Sequence, residues 1–278
     1  MKSVVAIHDL SCHAKSSLTV VIPTLAALKV EASVLPTALL STQTDGFDSY
    51  MYKDLTSSMK EVLKHWDSLN LFFDGIYSGF LGSEEQISIV NSLIEHHRKN
   101  QKETLVVVDP VLGDDGKPYG PVSEELVAKM SHLVQMADVI TPNTTEAALL
   151  LNKEYKKEVS LKEAKAWLPL LAEMGPRYVV ITSVMDNLRG SVVGFDKETN
   201  ELSVASHSYV PVSYPGCGDL FASILTALMV QGYSFDHAVK RSDYLVSEAV
   251  YASWKANVEV RDGVAVELIM DKLIKERK

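Results

Sequence analysis

Short apolar runs alternate along the chain with segments in which hydrophobic residues return every three or four positions. The runs fall at 4–8, 32–40, 71–77, 104–109, 137–141 and 177–182 and are rich in Val and Ile. Leu105-Val106-Val107-Val108 carries no polar interruption, the pattern of a strand covered on both faces, as in a parallel sheet. Between runs, Met51, Leu55, Val62, Trp66 and Leu69 follow helical spacing, and Ile87, Val90 and Leu93/Ile94 repeat it in the next connection. Ser83 with Gln86, Asn143 with Glu146, and Ser160 with Glu163 each place Glu or Gln three residues after a small polar residue, the capping-box signature of a helix start. After residue 182 the rhythm changes. Two strand-like stretches, 190–195 and 202–209, flank Asp196-Lys197-Glu198-Thr199-Asn200 and predict an antiparallel hairpin, followed by a glycine turn and helices over about 218–231 and 235–257.

No internal repeat, low-complexity tract or Pro/Gly/Ser linker interrupts this pattern. It predicts a single α/β domain over 1–278, a mostly parallel doubly wound sheet with an antiparallel edge hairpin. In such a sheet ligands sit beyond the carboxyl ends of the parallel strands, so the polar residues just after each strand are the candidates for function.

Composition narrows the partners. Of 278 residues, 46% are hydrophobic and 23% charged, enough to bury a core and too apolar for disorder. The net charge of −9, with no basic stripe or zinc-finger spacing, argues against nucleic acid as a ligand. Two cysteines, Cys12 and Cys217, make no disulfide scaffold and suit a reducing cytoplasm. The first apolar run is cut by His8 and Asp9, and the longest apolar stretches, 18–28 and 220–230, fall short of the roughly 20 residues a membrane helix needs. A signal peptide and a membrane span are therefore not expected.

Three segments carry candidate chemistry. Pro215-Gly216-Cys217-Gly218-Asp219 precedes an apolar helix, so its amides would face outward at the positive end of a helix dipole. It is either an anion hole holding a transferred phosphoryl group beside a proton-accepting carboxylate, or a glycine turn with Asp219 as cap. Asp109-Pro110-Val111-Leu112-Gly113-Asp114-Asp115-Gly116-Lys117-Pro118-Tyr119-Gly120 follows an apolar strand. It can set carboxylates near a hard cation, or be a surface loop with an Asp-Gly turn. In Thr141-Pro142-Asn143-Thr144-Thr145-Glu146, Glu146 either closes a capping box or orients metal-bound water.

Taken in order, these segments resemble the ribokinase-like superfamily, and within it the pyridoxal (vitamin B6) kinases. The resemblance extends to Asp9-Leu10-Ser11, to 36–44, to Tyr77-Ser78-Gly79-Phe80 and to Thr182-Ser183, and so spans nearly the whole chain. It implies an αβα sandwich, commonly a homodimer, that uses ATP and Mg²⁺, with a monovalent cation such as K⁺, to phosphorylate the 5′-hydroxymethyl group of a B6 vitamer. On that resemblance Asp219 is the catalytic base, with the amides of Gly216, Cys217 and Gly218 as the anion hole. Asp109, Thr141 and Glu146 serve the metal. Asn143, Thr182, Ser183, Asp114 and Tyr119 serve ATP, the last two as a flexible lid. Ser11, Thr44 and Tyr77 surround the vitamin ring; read without the resemblance, Ser11 is a loop residue and Tyr77 a core aromatic.

Several departures mark this chain. Cys217 stands where the family usually has Thr, which puts a thiol at a helix N-terminus where its pKa is expected to fall. Gln43-Thr44-Asp45-Gly46 replaces the usual His-Thr-Gly, and the lid is short. A hydroxymethylpyrimidine kinase of thiamin synthesis is the nearest rival, but such enzymes commonly end the turn in Gly-Cys, whereas here Asp219 follows Gly218. A sugar kinase would usually carry an added β-sheet lid, and a non-catalytic vitamer-binding regulator would be free to lose Asp219 and its glycines.

Overall fold

The computed structural model describes residues 1–276 apart from 102, 120–122, 155, 157, 187 and 188; Gly120 of the candidate lid therefore lies outside the described residues. The elements alternate as the hydrophobic pattern predicts. In order they are β1 (Lys2–Ser11), α1 (Leu18–Ala27), β2 (Val30–Leu40), β3 (Tyr52–Asp54), α2 (Thr56–Ser68), β4 (Gly75–Ser78), α3 (Glu84–Asn100) and β5 (Leu105–Val108). There follow β6 (Gly113–Asp114), β7 (Lys117–Pro118), α4 (Glu124–Gln135), β8 (Val139–Ile140), α5 (Thr144–Leu150), α6 (Leu161–Glu173) and β9 (Tyr178–Asp186). The chain closes with β10 (Arg189–Asp196), β11 (Glu201–Ser208), α7 (Cys217–Val230), α8 (Phe235–Lys255) and α9 (Met270–Lys275).

Among the described residues nine strands form one sheet in the order β11-β10-β9-β8-β5-β4-β1-β2-β3. The interior pairs are parallel, while β9–β10, β10–β11 and β2–β3 are antiparallel. Successive side chains of a strand point to opposite faces, so the apolar runs feed two cores. Val5, Ile7, Val106, Val108 and Ile181 pack under α2, α3, α4 and α6; Val4, Ala6, Val107, Val139 and Val180 pack under α1, α7 and α8. Burial on both faces explains why these strands have no polar alternation.

The edges depart from expectation. Met51 and Leu55 do not belong to a helix: Tyr52–Asp54 instead adds a short strand to β2, and α2 starts at Thr56. Met51 is 49% and Leu69 54% exposed, and Met59 is the helix's buried anchor. The predicted run at 71–77 becomes a strand only from Gly75, because Leu71 still donates its N–H to Trp66 in the turn leaving α2. All three predicted caps form. Ser83 and Ser160 accept from N3 amides, and Asn143 with Glu146 makes the complete capping box. Among the described residues no helix is long and apolar enough to cross a membrane.

Candidate active site

The carboxyl ends of β1, β5, β8 and β9 open onto a cleft of about 1660 Å³, walled on the far side by the start of α7. All but one of the residues singled out from sequence line it, from Ser11 and Thr44 at one end, through Asp109, Asp114, Tyr119, Thr141, Asn143, Glu146, Thr182 and Ser183, to Gly216, Cys217, Gly218 and Asp219. Tyr77 is the exception. It is completely buried, because β4 pairs it with Ala6 of β1 and turns it into the core under α7. It offers no face to a ligand, and its hydroxyl donates to the backbone carbonyl of Asp219 at 3.4 Å. Tyr50, Tyr52 and Phe80, none of them given a site role from sequence, are among the aromatic residues that line the cleft, with Tyr119 of the predicted set beside them in that lining.

The glycine turn is built by backbone constraint. Gly216 caps α7 at φ 85°, and a Cβ there would lie 3.0 Å from the Lys15 carbonyl oxygen. The first helical bond runs from Leu220 N–H to Gly216 O, so the amides of Cys217, Gly218 and Asp219 have no acceptor within the helix. Asp219 is 14% exposed; its Oδ2 accepts the Ser17 N–H at 2.8 Å, and Oδ1 lies 3.7 Å from His8 Nδ1. Burial, reinforced by Asp109 and Asp9 and opposed by the Ser17 N–H, pushes its carboxyl up to about 7. It is thus a far better proton acceptor near neutral pH than an ordinary aspartate. Cys217 reverses the sequence expectation: burial, with Asp219 and Asp114 adding to it, pushes its thiol up to about 12 despite the helix dipole.

Across the cleft stand two more buried acids. Thr141 donates its hydroxyl to Asp109 Oδ1 at 3.1 Å, and burial pushes Asp109 up to about 7. Glu146 accepts Asn143 N–H at 2.8 Å on one oxygen and Leu112 N–H at 3.1 Å on the other. Burial and then Asp109 raise Glu146 well above the usual carboxylate range. Asn143 in turn donates its amide to Gly113 O at 2.8 Å. Among the described residues no Lys or Arg pairs with Asp9, Asp109, Glu146 or Asp219, and Arg261 is the lone Lys or Arg lining the cleft. Nor do three or more His, Cys, Asp or Glu side chains there form a closed metal cage. Uncompensated carboxylates without a cage fit a hard divalent cation that takes its other ligands from water and phosphate.

The loop after β5 is a small hairpin, β6–β7, turning through Asp115 (φ 51°) and Gly116 (φ 75°), as a two-residue turn with both residues left-handed requires. It is tied down: Gly116 N–H donates to Thr145 Oγ at 2.9 Å and Tyr119 N–H to Leu112 O at 3.0 Å. Burial raises both the Asp114 carboxyl and the Tyr119 phenol.

An αβα sandwich with a glycine turn at a helix N-terminus, a carboxylate just inside it and a cation-ready acidic wall opposite defines the ribokinase-like class of small-molecule kinases. The chain belongs to the phosphomethylpyrimidine kinase family, whose sequence model matches residues 20–263. Within it the resemblance runs to proteins that bind or act on B6 vitamers. A Bacteroides thetaiotaomicron protein assigned to the phosphomethylpyrimidine kinases, solved with pyridoxal, is 38% identical at a TM-score of 0.92, over 98% of this chain and 95% of that one. The pyridoxal kinase of Lactobacillus plantarum is 30% identical at a TM-score of 0.90, over 99% and 97%. A pyridoxine/pyridoxal/pyridoxamine kinase of Bordetella avium is 35% identical over 176 residues, which span 62% of this chain and 58% of that relative.

Proposed function

We propose that the protein is an ATP-dependent pyridoxal kinase that transfers the γ-phosphoryl group to the 5′-hydroxymethyl oxygen of pyridoxal, pyridoxine or pyridoxamine. The observation that carries this reading is Asp219, a carboxylate of raised proton affinity in the first turn of a helix with a glycine-flanked N-terminus. The vitamer hydroxyl gives its proton to Asp219 as its oxygen bonds to the γ-phosphorus and ADP departs. Phosphoryl transfer passes through a loose transition state in which positioning and charge stabilisation dominate, and the free amides of α7 supply both. Gly216 makes that geometry possible, and Cys217 and Gly218 contribute N–H groups rather than side chains.

Asp109 and Thr141 would hold Mg²⁺, with Glu146 acting through water because each of its oxygens already accepts an amide. When bound, the ion neutralises charge on the phosphate oxygens. Asn143, Thr182, Ser183, Asp114 and Tyr119 contact the nucleotide, and Ser11 and Thr44 the vitamin ring. A monovalent cation such as K⁺ near Asp109, a homodimeric assembly and a cytoplasmic setting complete the reading, each supported by the family resemblance.

ATP consumption measured side by side with the three vitamers and hydroxymethylpyrimidine tests the substrate. Turnover with hydroxymethylpyrimidine alone overturns the assignment. Asp219→Asn should lower kcat by at least about 10²-fold with pyridoxal, since a positioned base contributes on that order; wild-type kcat in that variant would remove Asp219 from the chemistry.

A further inference from the structure

We propose that Asp9 and Ser17 form a clamp that aims Asp219, with Ser17 the direct contact and Asp9 its anchor. The inference rests on Asp219 being the base. Ser17 is the N-cap of α1, yet its hydroxyl makes no capping bond. It donates instead to Asp9 Oδ1, while the Ser17 N–H donates to Asp219 Oδ2. The residue holds φ 51°, ψ −128°, a left-handed conformation that glycine adopts freely and a serine enters with strain. A serine in a glycine conformation, with its hydroxyl withdrawn from the cap it would ordinarily make, marks a demand on that hydroxyl other than helix formation.

Asp9 is placed to meet that demand. The β1–β2 register shifts between His8 and Leu10, so Asp9 sits at an irregularity of the kind that re-aims a side chain beside a site. It is 6% exposed, and its second oxygen accepts the Ser11 hydroxyl at 3.2 Å. The loop between β1 and α1 is fixed from behind. Lys15 N–H donates to Asp262 O at 3.0 Å, and the Lys15 carbonyl lies against Gly216 and Gly263, where a Cβ would come within 3.0 Å and 2.3 Å of it. The Ser17 N–H thus approaches Asp219 from a backbone that cannot retreat. With Oδ2 held, Oδ1 is left as the carboxylate oxygen free to take a proton. Holding a base in one orientation raises its effective concentration at the reacting atom, and a displacement of about 1 Å can cost roughly 10²-fold.

Steady-state kinetics on the full chain with ATP and pyridoxal, beside urea denaturation of the same variants, tests the clamp. Ser17→Gly removes the hydroxyl and the strain together. It should leave the urea midpoint unchanged or raised while kcat falls about 10-fold or more and both KM values stay within about 3-fold. Asp9→Ala should do the same to kcat, and Asp9→Asn, which keeps an oxygen for the Ser17 hydroxyl, should restore most of it. Wild-type kcat in Ser17→Gly overturns the clamp, as does a rise in pyridoxal KM at constant kcat in Asp9→Ala, which would make Asp9 a direct substrate contact. Loss of kcat strictly in proportion to lost folding would reduce the pair to a structural role. Asp219→Asn separates the two readings: if it keeps wild-type kcat, the base assignment fails, whereas if it loses kcat and the clamp variants do not, only the clamp fails.

Discussion

Replacing Asp109 by Asn should make the metal-free protein more stable above neutral pH while removing its activity. Asp109 is 8% exposed, meets no cation, and has its carboxyl pushed from 3.8 to about 7 by burial. That difference of about 3 units, at about 1.4 kcal/mol each, sets an upper limit of about 4 kcal/mol on the cost of ionising it in the folded state. Glu146 shares the penalty, since each acid opposes the other's charge, and a gain of about 2 kcal/mol is the expectation for neutralising one of them. Asn fills the same space and keeps an oxygen for the Thr141 hydroxyl. The sign follows from linkage. A folded value raised above the unfolded one means the proton-linked stability is complete below about pH 3.8 and is lost as pH rises through about 7. Wild type therefore weakens over that range and Asp109→Asn does not. Thermal unfolding in EDTA should give a variant Tm higher by about 4–8 °C at pH 8 and by less than half as much at pH 5. A variant less stable than wild type at pH 8, or a gain of equal size at both pH values, refutes the reasoning.

Two further outcomes follow from the glycine turn. Iodoacetamide at pH 8 should modify the exposed Cys12 and spare Cys217, whose thiol is held protonated, as read by peptide mass spectrometry; equal labelling of the two would contradict the burial argument. Gly216→Ala should cost about 1–3 kcal/mol in urea denaturation, because φ 85° disfavours an L side chain and the new Cβ would press on both the Lys15 carbonyl and Val20; a neutral effect would show that the turn can relax.

Sequence patterning revealed the elements whose burial is simplest. Strands covered on both faces read as unbroken Val/Ile runs, and the capped helices announced their starts. The Tyr52–Asp54 strand stayed hidden because its exposed residues carry no apolar signal and its pairing with β2 is a tertiary event, so Met51 and Leu55 lent themselves to a false helical period. The site was legible to the same extent. Asp109 and Asp219 stood out as acids after a strand and a glycine turn. Tyr77 was misplaced because its sequence position shows that it ends a strand, but only the register with β1 shows which face it takes. Ser17 and His8 gave no signal at all, since their significance depends on approaching Asp219 from the other end of the chain.

That separation has a consequence for synthesis. Ser17 and Asp219 lie 202 residues apart, and the Lys15 backbone is held by Asp262 from further along still. A ribosome adding about 5–20 residues per second needs roughly 10–40 s to pass from one partner to the other. Throughout that interval the β1–α1 loop has no glycine turn to close against, and the apolar face of α1 that later meets α7 is without its cover. A truncated nascent chain can therefore hold much of its parallel sheet yet no phosphoryl-transfer centre, so interrupted synthesis releases fragments that need a chaperone rather than fragments that waste ATP.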